Sequence, residues 1–579
     1  MPPQITVLDA GGQYCHLIAR RVRNLGVYAE VAPSETPASQ LAGRKGIIIS
    51  GGPASVRAPG SPTVDPAIFD SGTPVLGICY GHQLMAWLLR GNVQKGDHGE
   101  YGFALLDLSH RSRLLKGVDG PQQVWMSHFD TVAEPPEGFE TLGTTETCTV
   151  AAMADEARKL YGVQFHPEVA HTPCGQTILS NLLFDICGCE HDWDPAGQIV
   201  QLENHIREVA GNRNIFFFVS GGVDSTVAYT LCLRALGPDR VHGTYVDTGL
   251  MRDGETELVR TNFPSLHIED DSARFLGALE GVTDPEKKRH IIGHQFVEVQ
   301  QRILESEHYL DGHWILGQGT IYPDTIESGG TAKADLIKTH HNRVAGIQKL
   351  IEQGRIIEPL SSFYKDEVRA VGRELGLPDA LIERHPFPGP GLAIRCLCST
   401  ESVAPEASHE VSKGGWILPV RSVGVQGDER TYRRVLALDK FPAEDEAARL
   451  INRIATVNRI VVSVWTARPV EELLAAPASL TAERIERLRR ADAIVRRLAH
   501  DFDQTIWQFP VVLIPFGTEE KPDAVVLRPI DSVDGMTARA VRMPEDLLQK
   551  IVCELQTVEG IAGVFYDLTN KPPATIEWE

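Results

Sequence analysis

The sequence predicts two consecutive doubly wound α/β domains followed by an α+β domain. Short apolar strands alternate with helical stretches from residue 4 to about 185, and the alternation resumes after Trp193-Asp194-Pro195. The run His385-Pro386-Phe387-Pro388-Gly389-Pro390-Gly391 is too rich in proline and glycine for a helix or a central strand. Beyond it, strand-like runs at 417–425 and 511–515 flank helical stretches near 444–457 and 481–500 rather than alternating with them one for one. The domains implied are 1–193, 194–395 and 396–579, and 579 residues suffice for about three or four domains of ordinary size.

Composition narrows the class. Hydrophobic residues at 42% and charged residues at 23% are those of a folded globular protein. A formal charge of −21 argues against general affinity for nucleic acid or anionic membrane, since both are bound through Lys and Arg. No run approaches the roughly eighteen apolar residues of a membrane span, and the first residues lack a basic segment followed by an apolar one, so the expected location is cytoplasmic. The ten cysteines, Cys187-Gly188-Cys189 and Cys396-Leu397-Cys398 among them, show neither zinc-site spacing nor a secreted disulfide density. All but Cys79 read as plain free thiols.

The first candidate centre is spread over three strand ends. Gly46-Ile47-Ile48-Ile49 runs into Ser50-Gly51-Gly52-Pro53, whose paired glycines offer N–H groups to a developing oxyanion. Pro74 to Ile78 leads into Cys79, with Gly77 and Gly81 two residues either side and a helical pattern from His82 to Leu89; this is the strand-to-helix bend of a nucleophile elbow. Tyr161 to Phe165 ends in His166-Pro167-Glu168, a general base with a carboxylate two residues on.

The second centre is Ser220-Gly221-Gly222-Val223-Asp224-Ser225, between the apolar run 215–219 and a helical stretch at 226–233. A strand, a glycine turn and a helix start converge backbone N–H groups and the Ser220 and Ser225 hydroxyls on an anion. Asp224 inside a phosphate-binding turn requires a divalent cation between carboxylate and phosphates, which implies Mg2+ with a nucleotide. The dipeptide Gly-Lys never occurs, so a Walker A loop is excluded.

The Ser220–Ser225 string resembles the pyrophosphate loop of the N-type ATP pyrophosphatases, of the adenine-nucleotide α-hydrolase-like fold, which adenylate an oxygen and release pyrophosphate. The first three segments resemble the class I glutamine amidotransferase domain, of flavodoxin-like fold. That resemblance implies a Cys79-His166-Glu168 triad, an oxyanion hole from Gly52 and the Tyr80 N–H, and Gln83 beside bound glutamine. The order of the two, together with Gly319 to Ser328, Ile337 to Asn342, the Pro/Gly connector and the terminal Lys571-Pro572-Pro573-Ala574-Thr575-Ile576-Glu577-Trp578-Glu579, resembles the glutamine-hydrolysing GMP synthetase family from end to end.

Membership of that family would mean ATP adenylates xanthosine monophosphate (XMP), pyrophosphate leaves, and ammonia from L-glutamine displaces AMP to give GMP, a step of purine biosynthesis. It implies that Lys338 and Lys365 neutralise phosphate charge, and that XMP meets Arg289, Pro388, Gly389, Pro390, Gly391, Gln508, Lys571, Ile576 and Glu577, with Arg430 a further possible contact. Two alternatives stay open from the motifs alone: an amidotransferase with another acceptor, against which the terminal motif argues, and a binding protein with a degenerate glutaminase. Compared with compact members, residues of about 441–509 are an insertion. Segments 416–438 and 509–529 form a weak internal repeat, which predicts two related lobes in the third domain and favours a monomer over a homodimer.

Overall fold

The computed structural model describes every residue except 1, 13, 170, 323, 325–344, 386, 412–414, 427–428, 444–445, 504–505 and 533–537. Two compact units divide the chain, Met1–Gln198 and Ile199–Glu579.

The first unit is built from β1 (Ile5–Asp9), α1 (Cys15–Asn24), β2 (Ala29–Pro33), β3 (Gly46–Ile49), β4 (Val75–Ile78), α2 (Tyr80–Leu88), β5 (Asn92–Leu108), β6 (Gln122–Glu134), β7 (Glu140–Thr144), β8 (Ala152–Asp155) and β9 (Leu160–Val163). Its sheet runs β2-β1-β3-β4-β9-β8-β7-β5-β6. The first five strands are parallel and the rest antiparallel. Strands β3, β4 and β9 are buried along their whole length, which is why they read as unbroken apolar runs rather than alternating ones. Helix α1 buries Cys15, Ile18, Ala19 and Val22, a stripe at helical spacing, and turns its arginines outward except for Arg23. The carboxyl ends of β3, β4 and β9 lie side by side, where ligands of open α/β sheets bind.

Among the described residues the second unit holds two large sheets and two small two-stranded ones. Strands β10 (Asn214–Phe218), β11 (Val241–Asp247), β12 (His267–Asp270), β13 (Trp314–Gly317) and β14 (Ile356–Ile357) form a parallel sheet in the order β12-β11-β10-β13-β14. The other, of seven strands, is mixed. One apolar core runs through both parts of the unit, joining Phe216, Leu316 and Ile292 to Leu488, Leu513 and Val564.

The mixed sheet contains a repeat of topology. Strands Gly415–Gln426 and Glu429–Leu438 make an antiparallel hairpin; helix Glu446–Arg453 then leads to Val457–Thr466, which pairs parallel with the hairpin's second strand. Strands Val511–Ile514 and Asp523–Leu527, helix Glu545–Leu555 and strand Ile561–Asp567 repeat that order and pairing. The two lobes meet through the antiparallel pair Val457–Thr466 and Ile561–Asp567, giving one continuous sheet. Helix Glu446–Arg453 and strand Val457–Thr466 close the first lobe, because a hairpin alone leaves one face and one edge uncovered.

Candidate active sites

In the first unit, the chain reverses from β4 into α2 at Cys79, which adopts φ 51° and lies 4% exposed. A non-glycine residue held at positive φ is strained, and strain of this kind marks a side chain being presented. Gly81 permits the turn: a Cβ there would stand 2.3 Å from the Ile49 carbonyl oxygen. The Cys79 N–H donates to Val163 O at 2.8 Å, which ties the elbow to the end of β9. Beyond that end, His166 Nδ1 donates to Glu168 Oε1 at 2.7 Å, and Tyr14 packs edge-on to the imidazole at 5.2 Å.

Burial by itself would lower the His166 pKa, but the Glu168 carboxylate and a hydrogen bond with Cys79 outweigh it and hold the ring well above the ordinary histidine value. A protonated His166 beside Cys79 stabilises a thiolate, the nucleophilic form. His82, three residues into the elbow, is different in kind. Complete burial drives its pKa down to about 3, and its Nε2 bonds Val150 O at 3.1 Å, so it packs as a neutral ring.

Gln83 is buried and donates to Asp130 O at 2.7 Å and Gln164 Oε1 at 3.1 Å. Strand β6 passes Cys79, whose Sγ is 3.6 Å from Ser127 O, and Trp125 O accepts from the His166 N–H at 3.0 Å. Sequence reasoning missed Ser127, His128, Asp130 and Gln164. The only local signal was polar residues in mid-strand, at Ser127-His128 and at Gln164 inside an apolar run.

In the second unit, a cavity of about 630 Å3 is lined by Ser220, Gly222, Val223 and Asp224 together with Lys365, Arg289, Pro388, Gly389 and Pro390. The loop is drawn tight by its own serines, Ser220 Oγ lying 3.0 Å from Ser225 Oγ and the latter donating to Gly222 O at 3.1 Å. Gly319 packs onto this loop so closely that a Cβ would meet Ser225 N at 2.5 Å. Lys365 opens the helix Lys365–Glu374 and reaches Asp224 Oδ2 at 2.5 Å. Asp224 Oδ1 is buried without a hydrogen-bond partner, which suits an incoming cation. Among the described residues no group of three or more His, Cys, Asp or Glu side chains is arranged to hold a metal, so a cation here would need phosphate oxygens to complete its shell.

Residues 6–186 match the class-I glutamine amidotransferase family, and residues 497–578 match the GMP synthase C-terminal domain family. The GMP synthase (glutamine-hydrolysing) of Symbiobacterium thermophilum is 47% identical over 603 residues, covering 99% of each chain. A probable GMP synthase (glutamine-hydrolysing) of Leptospira interrogans is 43% identical over 605 residues, covering 100% of this chain and 99% of its own. The chain belongs to the glutamine-hydrolysing GMP synthase family.

For a member of the glutamine-hydrolysing GMP synthase family, the residues expected at the synthetase site fall into three groups. Arg289 and the Pro388–Pro390 turn line the cavity with the Ser220–Ser225 loop, and Gly391 follows at the start of a short helix. Glu577 acts at one remove: it binds Arg395 through both oxygens, at 2.9 and 2.6 Å, and Arg395 stacks on the cavity residue Phe387 at 5.2 Å. Lys571, Ile576 and Gln508 do not line the cavity. Lys338 and the side chain of Arg430 lie outside the described residues.

The end of the chain is docked, against the usual behaviour of a polar terminus. Trp578 is 0% exposed and donates to Asp567 Oδ2 at 2.9 Å. Asp567 also takes Arg459 at 2.9 Å and Arg528 at 2.8 Å, and these guanidiniums bind the tail's carbonyls, Arg459 at Glu577 O (2.7 Å) and Arg528 at Ile576 O (2.9 Å). Arg289 donates to Glu579 O, and buried Lys288 reaches Glu579 Oε2 at 2.6 Å. Burial alone would lower the Lys288 pKa; the Glu579 carboxylate outweighs this and lifts it above the ordinary lysine value. Among the described residues no helix is long and apolar enough to cross a membrane.

Proposed function

We propose that this chain makes GMP from XMP, ATP and L-glutamine through two sites. The observation that carries the reading is the single cavity holding the Ser220–Ser225 loop, Lys365, Arg289 and the Pro388–Pro390 turn, because adenylation requires the ATP α-phosphate and an acceptor oxygen within one enclosure. The pyrophosphate of ATP lies on the loop N–H groups and the start of helix Val223–Leu236, Lys365 follows the charge that moves onto it, and Arg289 meets the XMP phosphate. Asp224 would hold Mg2+, and the cation would supply further neutralisation of the phosphate charge. Lys338 serves the same phosphates in this reading.

At the other site Cys79 Sγ attacks the glutamine carboxamide carbon, and the Gly52 and Tyr80 N–H groups receive the oxyanion. His166 passes its proton to the departing ammonia, leaving a thioester; it then takes a proton from water, whose attack frees glutamate and restores the thiolate. Glu168 keeps the imidazole in register throughout. Ammonia displaces AMP from the adenylated XMP. Gln508, Lys571, Ile576 and Glu577 support the XMP pocket, 1–193, 194–395 and 396–579 act as the functional divisions, and the working form is a cytoplasmic monomer.

The test is product analysis with XMP, Mg-ATP and glutamine. GMP, AMP and pyrophosphate in equal amounts are expected. ADP in place of AMP would overturn the reading of the loop, and glutamine hydrolysis without GMP would leave the triad standing with another acceptor.

A further inference from the structure

On strands β5 and β6 lies a partly buried acid–imidazole pair that none of the steps above uses. Glu100 on β5 and His128 on β6 are direct cross-strand partners. His128 Nε2 is 3.1 Å from Glu100 Oε2, and Thr145 donates to Glu100 Oε1 at 3.0 Å. Burial would raise the Glu100 pKa, but the hydrogen bonds from His128 and Thr145 outweigh it, so the carboxyl stays ionised and only accepts. On its other side His128 Nδ1 is 3.0 Å from Asp130 O, which also only accepts. The ring is therefore held between two fixed acceptors, the Glu100 carboxylate and the Asp130 carbonyl.

Asp130 gathers the walls of the glutamine site. Its carbonyl takes His128 Nδ1 on one lone pair and Gln83 Nε2 on the other, at 3.0 and 2.7 Å. Its carboxylate accepts from Ser55 Oγ, in the loop that follows Gly52. The second hydrogen of Gln83 goes to Gln164 Oε1 at 3.1 Å, so both amide protons are used and the Gln83 carbonyl oxygen is the atom left to face substrate.

We propose that His128, clamped by Glu100, is a positioning residue for glutamine recognition: it fixes Asp130 O, which orients the Gln83 carboxamide and steadies the Gly52–Ser55 loop. This rests on the glutaminase reading of Cys79. It acts on binding of the substrate and not on the thiol chemistry, so its signature is in KM.

Two near-isosteric variants divide its hydrogen bonds. His128→Asn keeps a donor where Nδ1 stood and loses the reach to Glu100; His128→Gln keeps a donor where Nε2 stood and loses Asp130. The expected result is a rise of about tenfold in the KM for glutamine in His128→Gln, the scale of one buried hydrogen bond, with kcat for hydrolysis within about twofold of wild type. His128→Asn is expected to recover KM to within about threefold of wild type. An unchanged KM in His128→Gln would overturn the proposal, and so would equal loss of kcat and of ammonia-dependent GMP synthesis in both variants, which would mark the pair as structural. Wild-type protein that hydrolyses no glutamine would instead defeat the glutaminase reading itself.

Discussion

At the scale of the residue, the same side chain is given different work by its surroundings. His166 and His82 are both buried within one strand end of each other, yet one carries a carboxylate partner and is held protonated while the other has none and stays neutral. Since folding raises the His166 pKa, the stability it lends is complete below the ordinary histidine value and is lost as pH climbs through the raised one. Glu168→Gln removes the main cause of that rise. Glutamine-dependent synthesis is expected to fall on the order of 10³ to 10⁴-fold, with ammonia-dependent synthesis intact and alkylation of Cys79 by iodoacetamide slowed at neutral pH. Cys79→Ala is expected to abolish the glutamine-dependent reaction alone. Asp224→Asn should do the converse, cutting synthesis from either nitrogen source by at least about a hundredfold while glutamine is still hydrolysed.

At the scale of the element, both centres sit on strand-to-helix turns, and these were readable because the turn is a local property. Glycines at 77, 81, 221 and 222 report where backbone must bend or come close. Gly81→Ala places a methyl against the Ile49 carbonyl and is expected to shift the elbow, lowering glutaminase activity more than thermal stability; parallel assays of both would check it. The docked terminus was far less legible, for Pro572, Pro573 and Trp578 hinted at docking without naming a partner. Deleting Trp578 and Glu579 leaves the Lys288 ammonium buried without its counter-charge, a loss of roughly 3–5 kcal/mol that a lowered unfolding midpoint would report.

At the scale of the whole molecule, the third part repeats one topology and joins its two lobes in a single sheet. The recurrence of strand, proline, turn and strand in 416–438 and 509–529 was visible, whereas the pairing of Val457–Thr466 with Ile561–Asp567 was not, because register across a sheet is chosen by distant partners. Two lobes that already share a sheet leave no central edge for a second copy, so light scattering is expected to give the mass of one chain, 63.6 kDa, and a doubled mass would refute that. By itself the sequence determined a cysteine at a strand-to-helix turn, a His-Pro-Glu strand end, a glycine turn at 220–225, and the fold class that presents them. Only the tertiary structure decided which charges stand together. Lys288 and Glu579 are 291 positions apart and Arg395 and Glu577 are 182 apart; the first pair is buried, and in the second Arg395 is fully enclosed while Glu577 is partly buried. A buried ion is tolerable only beside its partner, and that partner is set by how the sheets pack and not by neighbours along the chain.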